Sequence, residues 1–176
     1  MEKCTDLNSV KDVAGCLLYT DVHKVENYPF LVKHPFTDSA FAAIAKNPEK
    51  VTENKVINIL ESESNLNRWR EYVAERIDSA ESADEIYSRI TKPYRLTFMK
   101  YAGQYLSEKD FAEMLCSAWV SSENPNSDAN VSQSELLQMF RSADKSLLMT
   151  AEERKRLDEL DDPVTVYRGV TPYNAK

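Results

Sequence analysis

Apolar residues recur with a helical period between about residue 60 and residue 162. Leu66, Trp69, Val73 and Ile77 fall on one face of a helix, and a shorter segment ending at Ile90 follows the same pattern. The pattern predicts five helices in this stretch. Their apolar faces carry Leu66, Trp69, Val73 and Ile77; Ala83, Ile86, Tyr87 and Ile90; Tyr94, Phe98, Tyr101, Ala102 and Tyr105; Phe111, Met114, Leu115, Ala118 and Trp119; and Leu136, Leu137, Phe140 and Ala143.

Residues typical of helix ends punctuate the same region. Three Ser or Thr residues precede a carboxylate by three positions, as in capping boxes, and two proline-containing turns stop helices. The boxes are Ser107 with Asp110, Ser132 with Glu135 and Thr150 with Glu153; the stops are Asn124-Pro125 and Asp161-Asp162-Pro163. The third box predicts one more helix, with Leu157 and Leu160. The carboxylates of these boxes are expected to be structural.

The third predicted helix begins at Pro93, a residue tolerated in a first helical turn. It bears the aromatic stripe of Tyr94, Phe98, Tyr101 and Tyr105. We expect this stripe to belong to the core. A cofactor-binding box is the alternative, but no convergent polar group accompanies the rings.

The first 60 residues have a weaker pattern. Ser9–Leu18 fits a short helix, Tyr28–Val32 an extended segment, Phe41–Ala45 a strand or a helix, and Val56–Leu60 a strand. The predicted fold class is mainly α, a multi-helix bundle with a small β element from the N-terminal segment and a short C-terminal strand; an α+β fold is the alternative. The expected divisions are 1–60, 61–162 and 163–176, within one compact unit.

Composition excludes several functions. The three glycines among 176 residues cannot assemble a Gly-rich phosphate loop, and a net charge of −7 opposes binding to nucleic-acid backbones. No 18-residue apolar run occurs, and the first residues lack the order of a signal peptide, so a cytoplasmic protein without membrane association is expected. No metal or cofactor is predicted from these features.

Candidate catalytic side chains are scattered. His23 and His34 lack metal-ligand spacing, and we expect them to be solvated or locally hydrogen-bonded. The cysteines Cys4, Cys16 and Cys116 lack CxxC spacing, and Cys116, beside predicted core residues, is expected to be a buried inert thiol. Non-catalytic roles are therefore favoured.

The end of the sequence differs in character. Val164–Tyr167 alternates β-branched and aromatic residues, which predicts a strand, and Arg168-Gly169 follows. Val166-Tyr167-Arg168-Gly169 resembles the first-strand motif of the arginine–serine–glutamate class of ADP-ribosyltransferases. The run from Leu160 to Thr171 also resembles an uncharacterised branch of that superfamily, found in bacterial and phage mobile elements, in which a helical region precedes the transferase core.

The resemblance extends from about Phe30 onward, with Ser122–Asn126 and Glu135–Leu137 similar to the helical region of that branch. It implies an NAD site at Tyr167, Arg168 and Gly169, because a guanidinium offers a bidentate fork to a pyrophosphate and glycine permits close backbone approach. The alternative is that Arg168 pairs with Asp161 or Asp162.

The chain departs from the family after this motif. The superfamily also uses a Ser-Thr-Ser-like strand and a catalytic glutamate, but the eight residues Gly169–Lys176 contain neither serine nor glutamate. We therefore expect a non-catalytic protein-binding module of mobile-element lineage. Its most concrete form is an anti-CRISPR inhibitor that blocks a Cas nuclease of the host. The alternatives are an N-terminal fragment of an NAD-dependent transferase and a helical module that positions a neighbouring domain.

Overall fold

The computed structural model describes residues 3–44, 55–123, 128–160 and 165. Across these residues the chain is mainly α-helical, with small antiparallel β elements, as predicted. The helices are α1 (Leu7–Leu18), α2 (Glu63–Asp78), α3 (Ala83–Arg89), α4 (Arg95–Ala102), α5 (Glu108–Ser121), α6 (Gln133–Ser142), α7 (Lys145–Leu148) and α8 (Ala151–Asp158). The strands are β1 (His23–Val25), β2 (Tyr28–His34), β3 (Thr37–Ser39), β4 (Phe41–Ile44) and β5 (Lys55–Asn58).

Side-chain caps set the starts of most helices. Ser62 and Ser82 accept hydrogen bonds from backbone N–H groups of α2 and α3, and Ser132 and Thr150 form reciprocal capping boxes with Glu135 and Glu153. Each cap satisfies a donor that the first helical turn leaves unpaired. The capping-box prediction is therefore confirmed for α6 and α8.

Only one of the two hydrogen bonds of the capping box predicted at Ser107 is present. The Ser107 hydroxyl accepts from the Asp110 backbone N–H at 3.1 Å, which caps α5. The Asp110 carboxylate, however, accepts from the Thr5 hydroxyl, whose oxygen also accepts from the Ser107 N–H at 2.7 Å. A backbone hydrogen bond from Asp6 to Tyr105, 2.8 Å long, completes the connection between the start of α1 and the α4–α5 junction.

Helix α4 lies at the centre of the core, in contact with α1, α5 and α6. Four consecutive residues, Leu96 to Met99, are buried, because neighbouring helices cover this part of α4 on several sides. The expectation that the whole aromatic stripe is core was wrong: Phe98 is buried but Tyr101 is 48% exposed. Two 3₁₀ turns, Lys92–Tyr94 and Gly103–Tyr105, flank this short helix and interrupt the predicted single period.

The strands form a three-stranded sheet, β1-β2-β3, and a two-stranded sheet, β4-β5, both antiparallel. Phe41–Ile44 is thus a strand, which decides between the two predicted alternatives. Ile44, Ile57 and Ile59 belong to the same buried cluster as α1 and the central helices. The β4-β5 sheet therefore packs on the helices through one shared core.

Helix α8 buries no side chain, and the apolar residues of its predicted face, Leu157 and Leu160, are half exposed. The predicted C-terminal strand within 163–176 lies outside the described residues, apart from Thr165, which is exposed. The predicted stops at Asn124-Pro125 and Asp161-Asp162-Pro163 also lie outside them.

Candidate protein-binding surface

Large apolar side chains stand exposed on one part of the two sheets. Phe30, Val56 and Tyr28 are 63%, 62% and 61% exposed, and Phe41 is 43% exposed. The rings of Phe30 and Phe41 contact each other, with centroids 5.7 Å apart. We call Tyr28, Phe30, Phe41 and Val56 the exposed apolar surface.

The exposure of Tyr28 and Phe30 changes to burial along β2. The pairing register of β2 shifts between Tyr28 and Val32 against β1 and between Leu31 and His34 against β3. Val32 and His34 are buried, whereas Tyr28 and Phe30 extend past the edge of the core. Strand β2 is thus buried at its C-terminal end and accessible at its start.

The second half of the surface comes from the outer face of the β4-β5 hairpin. Ala42 and Ile44 turn toward the core, so Phe41 and Ala43 point the other way, and Val56 is the register partner of Ala43. Phe41 and Val56 therefore lie on the same face of the hairpin, at diagonal positions.

Backbone hydrogen bonds join the two sheets beneath these residues. The Ala40 N–H donates to the Phe30 carbonyl and the Ile59 N–H donates to the Ala40 carbonyl, each at 2.9 Å. Because both sheets are tied at Ala40, the rings of Phe30 and Phe41 are held by connected backbone. A surface held in this way loses little conformational entropy when it binds.

His34 anchors the sheets to the helices. Its Nδ1 accepts from the Phe36 N–H at 3.1 Å, so Nε2 carries the proton and donates to the Leu18 carbonyl at 3.2 Å. Burial lowers the pKa of His34 to about 4, and the ring is therefore neutral at pH 7. The expectation that this histidine is locally hydrogen-bonded is confirmed.

A cleft of about 900 Å³ lies elsewhere, between α4, α5 and α6. In it the Lys100 Nζ lies 2.9 Å from Glu135 and donates to the Asn130 carbonyl at 2.8 Å. Hydrogen bonds from Ser132 and from Lys100 hold the pKa of Glu135 low, at about 2. Because this carboxylate also completes the cap of α6, we interpret the pair as structural.

The thiol of Cys116 is a second candidate reactive group in the helical part of the chain. It is half-buried rather than fully buried as expected, and its Sγ lies 3.5 Å from the Leu148 carbonyl. Burial raises its pKa, which disfavours the reactive thiolate. Within the described ranges, no group of three or more His, Cys, Asp or Glu side chains could hold a metal ion.

The sequence-predicted site residues Tyr167, Arg168 and Gly169 lie outside the described residues. In comparisons with known proteins, no family model, curated protein or solved structure matches the chain. No helix in the described part of the chain is long and apolar enough to cross a membrane.

Sequence reasoning identified β2, β4 and β5 as possible strands but missed the exposed apolar surface. The alternation of Tyr28, Phe30 and Val32 was the available signal. It does not reveal which members of the series the helices cover, because that depends on the packing of α1 and α2 against the sheets.

Proposed function

We propose that this protein is a non-catalytic binding module that captures a partner protein through the exposed apolar surface. The observation that supports this most directly is the accessible Phe30–Phe41 ring pair on hydrogen-bonded backbone. Aromatic side chains are enriched at protein interfaces, where they supply much of the binding energy.

The net charge of −7 supports a partner with a basic surface. Nucleases and other nucleic-acid-binding enzymes carry such surfaces, because they neutralise phosphates with Lys and Arg. The finer proposal is therefore an inhibitor of a host defence enzyme, of the anti-CRISPR type, which occupies a Cas nuclease. The likeness of the sequence to mobile-element proteins supports the same proposal.

The experiment measures inhibition of DNA cleavage by a Cas nuclease from the host, together with direct binding to that nuclease. Wild-type protein should inhibit, and Phe30→Ser and Val56→Ser should weaken binding by about tenfold or more, as expected for central interface residues. Val120→Ser is the matched control, since Val120 on α5 is 82% exposed and lies outside the surface. It should bind like wild type.

Two results would count against the proposal at different levels. If the protein does not inhibit the nuclease but binds another protein, and Val56→Ser weakens that binding, the nuclease is not the partner. The proposal of a binding module would then still stand. Equal binding by Val56→Ser, Val120→Ser and wild-type protein would remove the exposed apolar surface as the contact. Thermal unfolding of each variant confirms that it is folded.

A second candidate follows from the motif Tyr167-Arg168-Gly169. We propose it as the NAD-clamping part of an ADP-ribosyltransferase-like chain, in which Arg168 would contact the pyrophosphate. Calorimetric titration with NAD tests this directly. Binding that disappears in Arg168→Ala would support the transferase fragment, and no heat of binding to the intact protein would exclude an NAD site.

A further inference from the structure

A second pocket, of about 470 Å³, lies where α2 and α3 meet the turn before β3. Its lining includes two half-buried arginines, Arg76 and Arg89, among apolar and aromatic side chains. We call it the arginine pocket. Its volume is within the range of small-molecule sites.

Helix geometry accounts for the α2 side of the pocket. Trp69, Tyr72, Val73 and Arg76 follow one another at i, i+3, i+4 and i+7, so they share one face of α2. The guanidinium of Arg76 lies over the Tyr72 ring, 4.5 Å from its centroid. This stacking holds the guanidinium of Arg76 in one orientation, whereas the guanidinium of a fully exposed arginine rotates freely.

The other arginine is placed by the end of α3. Thr91 lies two residues after the end of that helix, and its N–H donates to the Pro35 carbonyl at 2.8 Å. Its hydroxyl donates to the His34 carbonyl at 3.1 Å. These bonds dock the last turn of α3, with Arg89, beside Phe36.

Neither guanidinium has an acidic partner among the described residues. The nearest candidate by sequence is Glu85, four residues before Arg89 on α3, but its Oε2 accepts from the Glu81 N–H at 3.0 Å. The Nε of Arg89 is buried, and no atom of the described protein accepts from it. The Nε of Arg70, outside this pocket, is also buried without an acceptor, so the inference of a ligand rests on the two arginine charges without acidic partners that line the pocket.

Arg95 provides the comparison within the same chain. Its Nε donates to the Ile90 carbonyl at 3.3 Å and its Nη1 donates to the Ser121 hydroxyl at 3.2 Å. The guanidinium of Arg70 is satisfied in part, since its Nη2 donates to the Thr20 carbonyl at 3.0 Å and its Nε has no acceptor. The Nε of Arg89 likewise has no acceptor among the described residues.

We propose that the arginine pocket binds the phosphate group of a small phosphate monoester, whose apolar part lies against Phe36 and Tyr72. Two guanidiniums match the charge of a phosphate dianion, and their planar forks donate paired hydrogen bonds to its oxygens. The aromatic lining favours an organic phosphate over a free inorganic ion. This inference is independent of the protein-binding proposal.

The test is a titration of the intact protein with phenyl phosphate, monitored by calorimetry and by backbone amide NMR shifts. Phenol and inorganic phosphate are titrated separately. Phenyl phosphate should saturate a single site and shift amides of α2, α3 and the turn at Phe36. It should bind more tightly than either of its parts alone.

Arg76→Gln and Arg89→Gln should each weaken binding by about tenfold or more, as expected for loss of a charge-assisted pair. Arg89→Lys keeps the charge but loses the Nε donor, and should also weaken binding. Arg141→Gln, an exposed arginine of α6, removes the same charge away from the pocket and should leave affinity unchanged.

Three outcomes would overturn the proposal. They are no saturable binding of phenyl phosphate, an equal loss of affinity in Arg141→Gln, and binding of inorganic phosphate as tight as that of phenyl phosphate. If Arg89→Gln fails to fold, the Arg89→Lys and Arg76→Gln variants carry the test.

Discussion

The imidazole of His34 stands edge-on to the indole of Trp69, with ring centroids 5.0 Å apart and planes at 76°. This contact joins the end of β2 to the middle of α2. Both rings are buried, and both His34 nitrogens are engaged in the hydrogen bonds described above. The junction between sheet and helix therefore depends on an uncharged histidine.

Acid should loosen this junction. In the folded protein the pKa of His34 is lowered to about 4 by burial, against 6.5 for an unperturbed histidine. Between these values only the unfolded chain takes up the proton, so stability falls as pH decreases from 6.5 toward 4. The loss amounts to about 3 kcal/mol if the whole shift contributes.

Urea unfolding at a series of pH values measures this effect. His34→Gln keeps a donor and an acceptor without a titrating group, and should flatten the pH dependence between 6.5 and 4. His23→Gln alters an exposed histidine of β1 and should keep the wild-type slope. An unchanged slope in His34→Gln would show that another group is responsible.

The two capping boxes should respond differently to the loss of their hydroxyls. Ser132→Ala should lower the free energy of unfolding by about 1 kcal/mol, because α6 buries Leu136 in the core. Thr150→Ala should leave global stability unchanged, because α8 buries nothing, while speeding amide exchange within α8. Denaturant unfolding and hydrogen exchange separate the two cases. A global loss in Thr150→Ala as large as that in Ser132→Ala would contradict this account.

Removing the unpaired Nε donor of Arg89 should stabilise the protein in the absence of any ligand. Arg89→Met keeps an apolar stem and eliminates a buried donor without an acceptor, so the free energy of unfolding should rise by about 1 kcal/mol. Arg95→Met should destabilise instead, because Arg95 donates to Ile90 and Ser121 and lies over the Tyr87 ring. Thermal unfolding of both variants decides the matter. Destabilisation by Arg89→Met would show that its guanidinium has a structural role.

Two helical glycines should give opposite results when each is changed to alanine. A Cβ at Gly103 would lie 2.7 Å from the Phe111 ring, so Gly103→Ala should cost about 1–3 kcal/mol through overpacking. Gly15, inside α1, has nothing within 4 Å of that position, and Gly15→Ala should gain about 0.5–1 kcal/mol from helix propensity. Gly103→Ala combined with Phe111→Leu tests the mechanism. If the steric account is right, the alanine costs less in the Phe111→Leu background.

Local signals made the capped helices predictable. The Ser132–Glu135 and Thr150–Glu153 pairs act within one helical turn, so three-residue spacing was enough to place α6 and α8. The four-residue helix α7 was not predicted, because so short a segment has no apolar period. The exposure of Tyr101 was missed for a related reason: periodicity shows which residues share a face, but not how many sides of the helix its neighbours cover.

The candidate sites depend more than the capped helices do on contacts between residues that are far apart in the sequence. The position of Arg76 follows from its spacing to Trp69 and Tyr72 on α2. Arg89, however, reaches the same pocket because the Thr91 bonds dock α3 onto the Pro35 turn, and no sequence pattern shows that. The NAD-binding prediction for Tyr167, Arg168 and Gly169 stays a prediction.

The contacts of Thr5 and Asp6 with Tyr105, Ser107 and Asp110 bear on how the chain folds. They join positions about one hundred residues apart, which is a large separation to close for so few hydrogen bonds. On the ribosome, α1 is synthesised long before the α4–α5 junction that holds its start. The hydrogen bonds at the start of α1 can therefore form only after the α4–α5 junction has emerged, whereas α2, which packs on α1, is synthesised much earlier.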